Sequence, residues 1–184
     1  IDLKTIQQEL DALDRLPQTT PEDVSNWPLD QLADHIVDKH HQYVAASIPV
    51  LDELTAKVAR VHGERHPELV RIAQHYHAVA RELEGHMQKE EYVLFPYIRQ
   101  MTAAKQTGQP IPTPMFGTIQ NPIRMMESEH EAAGSGMEAI RALSSDYTPP
   151  VDACTSYRVL FAKLQEFEQD LHRHVHLENN ILFP

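Results

Sequence analysis

Two stretches of the chain carry the same polar residues at the same helical spacing. Residues 86–96 read HMQKEEYVLFP and residues 174–184 read HVHLENNILFP, so both contain His-x-x-x-Glu followed by Leu-Phe-Pro. Side chains four residues apart lie on one face of a helix, so each histidine and its glutamate can bind the same ion. Polar residues that repeat on a face otherwise typical of a core favour a shared ligand over shared packing.

The apolar stripes around these motifs repeat as well, with an offset of 88 residues. The first stripe comprises Ile72, Tyr76, Val79, Leu83, His86, Glu90, Val93 and Tyr97. The second comprises Leu160, Leu164, Phe167, Leu171, His174, Glu178 and Ile181. Spacings that alternate between four and three keep all of these residues on one helical face.

A second pair of stripes brings two more histidines into the set, with an offset of 89 residues. The earlier stripe is Val37, His41, Val44, Ile48 and Leu51. It matches Met126, His130, Ala133, Met137 and Ile140. We therefore interpret the chain as two similar helical hairpins related by a pseudo-two-fold axis. This register favours His41 over the adjacent His40, because His40 aligns with Glu129 and His41 aligns with His130.

Six polar side chains are thus predicted to face the core: His41, His86, Glu90, His130, His174 and Glu178. Burying them without partners would cost several kcal/mol for each ionised group. A bound cation removes that cost, and imidazole and carboxylate are ligands for iron, manganese or zinc. Six side chains suit two metals, with the glutamates free to bridge. Carboxylate-bridged dinuclear sites are typical of redox metals, which favours iron or manganese over zinc.

Four long helices must position this set, and the predicted fold is an all-α antiparallel up-down four-helix bundle. Residues 1–28 are predicted to form a short helix and a linker, and residues 29–184 the bundle. We predict helices over about 29–61, bent near Pro49, and over about 67–103, 121–144 and 151–182.

The composition excludes several classes of function. A formal net charge of −11 disfavours binding to nucleic acid or anionic membranes, and no apolar run is long enough for a membrane span. The single cysteine, Cys154, fits a reducing cytoplasm and has no basic neighbours in sequence that would make it a reactive thiolate. Histidines outside the stripes, such as His62 and His66, are interpreted as solvated.

Four segments together resemble the hemerythrin-like domain of the di-iron iron–sulfur cluster repair proteins, the RIC family, over about residues 29–184. They read HHQYV, HMQKEEYVLFP, ESEHEAAG and HVHLENNILFP. The resemblance implies two non-haem iron ions with the four histidines as terminal ligands. It also implies bridging by Glu90 and Glu178 together with an oxo, hydroxo or water bridge.

The resemblance further implies repair of iron–sulfur clusters damaged by nitric oxide or peroxide, in the bacterial cytoplasm. Oxygen-carrying hemerythrins have another histidine where this chain has Gly134, so one coordination position would be open to nitric oxide or dioxygen. Damaged iron–sulfur proteins are the expected clients, and Glu129, and less so Glu131, are candidates to support a ligand or relay a proton. The chain is not expected to be an obvious turnover enzyme, although such a centre could reduce nitric oxide, and it is expected to be a monomer or a homodimer.

Two alternatives differ in class from a repair protein. The first is a hemerythrin-like sensor or binding protein for oxygen or redox state. The second is a metal-free interaction bundle, which would keep its stability without Glu90 and Glu178. The family often carries an N-terminal module with a cysteine pair, and residues 1–13 resemble the last helix of such a module.

Overall fold

Four long helices form the described part of the protein. The structure, a computed structural model, describes Val24 and residues 26–184, so the predicted N-terminal helix lies outside the described residues. Helix α1 consists of Leu29–Ile36, a π-helical turn Val37–His41, and Gln42–His62. Helix α2 consists of Glu68–Lys89, a π-helical turn Glu90–Leu94, and Phe95–Thr107. Helix α3 is Gln120–Leu143, and helix α4 is Thr155–Leu177 followed by a π-helical turn Glu178–Leu182.

Each helix packs against two others, because α1 and α3 each contact both α2 and α4. This arrangement confirms the predicted all-α four-helix bundle. Helix α4 begins four residues later than predicted, because Pro150–Ala153 form a turn and Cys154 is extended. Helix α2 continues to Thr107 and ends where Gly108 adopts a left-handed conformation, with φ of 66°. None of the helices in the described residues is long and apolar enough to cross a membrane.

The core consists of two apolar clusters that we call the large cluster and the small cluster. The large cluster takes residues from all four helices. It runs from Val44 to Val58 in α1, from Leu69 to Met87 in α2 and from Tyr157 to Leu171 in α4, and it also includes residues from Ala133 in α3 to Tyr147 just after that helix. The small cluster comprises Val24, Leu32, Ala33, Ile36, Leu94, Phe95, Ile98, Met126 and Leu182. In each helix the predicted ligand positions lie at the boundary between the two clusters, with Met87 of the large cluster between His86 and Glu90 in α2, so a polar layer divides the core.

The π turns change which residues face the small cluster. The predicted stripe positions Val93 and Ile181 are wrong, because Val93 is 46% exposed and Ile181 is only half-buried. Their neighbours Leu94 and Leu182 are buried instead. A π turn adds one residue to a helical turn, so the inward face shifts by one position beyond it.

The same shift occurs in α1, where Ile36 is buried and the predicted Val37 is half-buried. Helix α3 has no π turn, and its predicted positions from Met126 to Ile140 are all buried. The constant spacing assumed from the sequence therefore describes the large cluster and fails at the three π turns.

Helices α2 and α3 approach each other closely at Gly136. A Cβ atom at this position would overlap the side chain of Val79, so the contact requires a glycine. A Cβ atom at Gly134 would meet no atom of another residue within 4 Å. The two hairpins are therefore joined tightly along the seam between α2 and α3.

Candidate metal centre

The polar layer brings all six predicted side chains together inside the bundle. His41, Glu90 and Glu178 lie in the three π turns, and the other three histidines lie on α-helical turns. All six are buried, and Glu90, His174 and Glu178 have no exposed surface. Because π turns are frequent at functional sites, their coincidence with these residues favours a site over simple packing.

The six side chains form two overlapping groups in which the ligand-type atoms lie within 4.8 Å of one another. The first group is His41, Glu90, His174 and Glu178, and the second is His86, Glu90, His130 and Glu178. We call these position 1 and position 2. Glu90 and Glu178 belong to both positions.

The distances show how each glutamate spans the two positions. Glu90 Oε2 lies 3.3 Å from His41 Nε2 and 3.2 Å from His86 Nε2. Glu178 directs Oε1 to His174 Nε2 at 3.0 Å and Oε2 to His130 Nε2 at 2.9 Å. Each carboxylate therefore meets one histidine of position 1 and one of position 2.

Several buried atoms of this layer make no hydrogen bonds with one another and are suited to bind a cation. Both carboxylate oxygens of Glu90 and the Nε2 atom of His41 are buried and make no hydrogen bond. The contacts of Glu90 are thus at ion-pair distance without hydrogen-bond alignment. His130 Nε2 also lies 3.0 Å from His86 Nε2, where two nitrogen atoms face each other. Four nitrogen and two oxygen donors that converge in this way match the ligand preferences of iron and manganese.

Three of the four histidines are held from behind by a hydrogen bond at Nδ1. His41 pairs with Glu91 Oε1 at 2.8 Å, and His130 pairs with Asn179 Oδ1 at 2.9 Å. His86 pairs with Glu129 Oε2 at 3.0 Å. Partners of this kind fix the ring orientation of metal-ligating histidines and leave Nε2 free to coordinate.

The fourth histidine, His174, has a different environment. Among the residues that the structure describes, none accepts a hydrogen bond from its buried Nδ1 atom. The ring of His40 stacks on it instead, with centroids 5.5 Å apart and planes 8° apart. His40 Nδ1 pairs with Asp170 Oδ1 at 3.0 Å, so this pair lies behind His174 without binding it.

The charges of the layer shift the pKa values of its members. Burial lowers the pKa of His86, but Glu90, Glu178 and Glu129 outweigh it and raise the pKa to about 9. For His41, burial acts in the same direction and is outweighed by Glu90, Glu91 and Glu178, so its pKa is also raised. Burial raises the pKa of Glu178, but His174 and His130 lower it well below its ordinary value. A cation that binds here would compete with the proton on His86.

The residues behind the histidines were only partly predicted from the sequence. Glu129 was a candidate, and the structure places it between His86 and Lys89, which is an ion-pair partner of its other oxygen. Burial raises its pKa, but Lys89 and His86 outweigh this effect and lower it. Glu91 and Asn179 were missed, although each directly follows one of the two shared glutamates and the two are 88 residues apart. The repeat offset could have identified both.

The other predicted side groups lie away from the layer. Glu131 is exposed, and Met126 and Met137, which the sequence places on a core-facing stripe, are buried in the apolar clusters. At the other end of the bundle, His62 Nε2 lies 3.0 Å from Cys154 Sγ. Cys154 therefore has no basic neighbour in sequence but has one in the folded protein, because the end of α1 meets the start of α4.

Comparison with known proteins identifies relatives along the whole chain. Residues 32–184 match the family model described as the hemerythrin HHE cation binding domain. An iron–sulfur cluster repair protein YtfE from Yersinia pseudotuberculosis serotype IB (strain PB1/+) is 36% identical over 185 residues, covering 100% of this chain and 77% of that protein. The YtfE proteins of Yersinia pestis (strain Pestoides F) and Yersinia pseudotuberculosis serotype O:1b (strain IP 31758) have the same coverage at 36% and 35% identity.

Proposed function

The chain belongs to the hemerythrin HHE cation-binding family, and from this premise we propose that it is a di-iron protein that repairs damaged iron–sulfur clusters. The observation that carries the proposal is the pair of buried carboxylates that each face one histidine of position 1 and one of position 2. The relatives named as iron–sulfur cluster repair proteins support the choice of repair.

In this proposal each iron has two terminal histidines and shares both glutamates. His41 and His174 would hold one iron and His86 and His130 the other, with Glu90 and Glu178 shared by both. The bound irons supply Lewis-acid and one-electron redox chemistry. Nitrogen and carboxylate ligands hold iron less firmly than the thiolates of a cluster do, so the protein can give iron to a damaged cluster.

The surroundings of the site assist this role. The two apolar clusters on either side of the layer exclude bulk water from Glu90 and Glu178. Glu129, Glu91 and Asn179 orient three of the terminal histidines. This chain has Gly134 where oxygen-carrying hemerythrins have another histidine, so an iron bound here would keep a coordination position open to nitric oxide or dioxygen. Damaged iron–sulfur proteins are the proposed clients, in the cytoplasm, where a chain with one cysteine needs no disulfide.

Metal content after anaerobic purification tests the proposed centre. We expect about two irons per chain in the wild type, and loss of both in a Glu90→Leu, Glu178→Leu double variant, because the removed carboxylates are shared. A Glu127→Leu, Glu131→Leu double variant is the matched control, since it makes the same charge change at two exposed positions of α3. A wild type without stoichiometric metal would leave only a packed bundle.

Transfer of iron tests the repair function itself. Protein loaded with ⁵⁷Fe is mixed anaerobically with a [4Fe–4S] dehydratase whose cluster has been damaged by nitric oxide. We expect ⁵⁷Fe in the restored cluster and recovery of dehydratase activity, with neither produced by the Glu90→Leu, Glu178→Leu variant. Recovery no greater than that given by the same amount of free ferrous iron would refute the repair function and leave the metal centre intact as a finding.

A further inference from the structure

The surroundings of the four histidines differ between the two metal positions, and we propose that iron in position 1 leaves the protein before iron in position 2. Position 1 is formed by His41 and His174 with the shared glutamates. The inference rests on the proposed function, because it takes two bound irons as its starting point. It specifies which of them is the transferable one and why.

The first observation is the unequal support of the histidine rings. His41, His86 and His130 each have a hydrogen-bond partner at Nδ1. His174 is fully buried, and its Nδ1 atom has no partner among the described residues. Loss of such a partner typically costs about 10- to 100-fold in metal affinity, because the ring loses its fixed orientation and the ligand becomes less basic.

The second observation comes from the internal repeat. The offset of 89 residues between α1 and α3 places His40 in the position equivalent to Glu129. Glu129 accepts a hydrogen bond from His86, the ligand-type histidine of the neighbouring helix. His40 instead stacks on His174 and pairs with Asp170, so the carboxylate found behind position 2 is replaced by an imidazole behind position 1. The two positions therefore have matching ligands and non-matching support.

Glu91 does not cancel this difference. Its carboxylate orients the ring of His41 and makes it a more basic ligand, but His41 is the other histidine of position 1 and not His174. Release of a metal begins with the ligand that is held least firmly, and that ligand is His174. Without His174, position 1 would offer one histidine and the two carboxylates that both positions share.

Rates of iron release test the proposal directly. The protein loaded with two ferrous irons is mixed with an excess of a ferrous chelator in a stopped-flow instrument. We expect two phases of equal amplitude in the wild type. A His40→Glu, Asp170→Asn variant places a carboxylate behind His174 and removes the acidic neighbour, and it should slow only the fast phase by about tenfold. Asp170→Asn alone is its reference.

A second variant keeps the test independent of whether the first one folds. Glu129→Leu removes the partner of His86 and should accelerate only the slow phase by about tenfold, so that both irons leave quickly. Glu131→Leu, an exposed change two residues away, should leave both phases unchanged. Selective effects on one phase separate ring positioning from a general loss of stability, which would change both.

Three results would overturn the proposal. They are a single release phase in the wild type, a slowing of the slow phase by the His40→Glu, Asp170→Asn variant, and two unaltered phases in Glu129→Leu. Each of these leaves the proposed function standing, because the protein still binds two irons. A wild type that binds fewer than two irons would overturn both together, and metal content before mixing identifies that case.

Discussion

The polar layer separates two parts of the core that are built differently. The large cluster on one side is formed by uninterrupted α-helix. The small cluster lies on the other side, and three of the four helices have a π turn at the layer between the two clusters. The two clusters contain the same kinds of apolar side chain. They differ in register, because each π turn moves the inward face by one residue. The irregular turns occur where the bundle changes from one cluster to the other, at His41, Glu90 and Glu178.

This difference separates two demands on the helices. An apolar core can be packed by regular spacing alone, as α3 shows on both sides of His130. Wider π turns are found in the helices that contribute Glu90, Glu178 and His41. We infer that the turns serve the geometry of the polar layer, and that the small cluster has adapted its register to them.

Substitutions at two adjacent positions of α2 test the register of the small cluster and have the largest expected effect on stability. Leu94 is 1% exposed and Val93 is 46% exposed. Leu94→Ala should lower the free energy of unfolding by about 2–5 kcal/mol, because it opens a cavity in the small cluster. Val93→Ala should change it by less than about 0.5 kcal/mol. Urea unfolding of the metal-free protein measures both, and equal effects would contradict the shifted register.

Two glycines of α3 probe the regular half of the bundle. Gly136→Ala should destabilise the protein by about 1–3 kcal/mol, because the new methyl group overlaps Val79 where α2 and α3 meet. Gly134→Ala has open space around its new methyl group and should stabilise the helix by up to about 1 kcal/mol. Thermal unfolding of the two variants checks the prediction. A stabilised Gly136→Ala variant would show that the seam is looser than described.

Deletion of Tyr92 removes the irregular turn from α2 and has a smaller expected effect on stability than Leu94→Ala. Tyr92 is 77% exposed and lies inside the π turn between Glu90 and Leu94. Without it, a regular helix would place Leu94 three residues after Glu90 and still facing the core. We expect the metal-free protein to gain about 1 kcal/mol, the value of a restored helical hydrogen bond, while iron binding becomes weaker.

Calorimetric unfolding with chelator and titration with ferrous iron measure these two quantities separately for the Tyr92 deletion. Replacement of Tyr92 by alanine is the matched control, since it removes the same side chain and keeps the turn. A deletion variant that binds iron as tightly as the wild type would remove the proposed link between the π turn and the metal centre.

The sequence was most informative where periodicity is regular. The bundle, and the meeting of His41, His86, Glu90, His130, His174 and Glu178 in one layer, both follow from apolar stripes with repeat offsets of 88 and 89. The choice of His41 over His40 came from the same register, and the structure places His41 in the layer and His40 behind it.

What the sequence did not reveal lies where spacing changes or where distant segments meet. A π turn depends on the balance between helical hydrogen bonds and the packing around it, so a stripe with constant spacing selected Val93 and missed Leu94. The pairing of His62 with Cys154 joins two helix ends that are 92 residues apart, and no local pattern indicates it. Glu91 and Asn179 were within reach of the repeat and could have been identified by extending it by one residue.

The sharing of Glu90 and Glu178 by both positions has a consequence for how such a centre can originate. Each position takes donors from both hairpins, so a single hairpin with one histidine and one His-x-x-x-Glu motif cannot complete either position. Two copies of that hairpin, related by a two-fold axis, supply all six donors. A symmetric dimer of short, identical chains would therefore supply the same six donors as this single chain. In the single chain the two equivalent places need not be identical, and they hold Glu129 and His40.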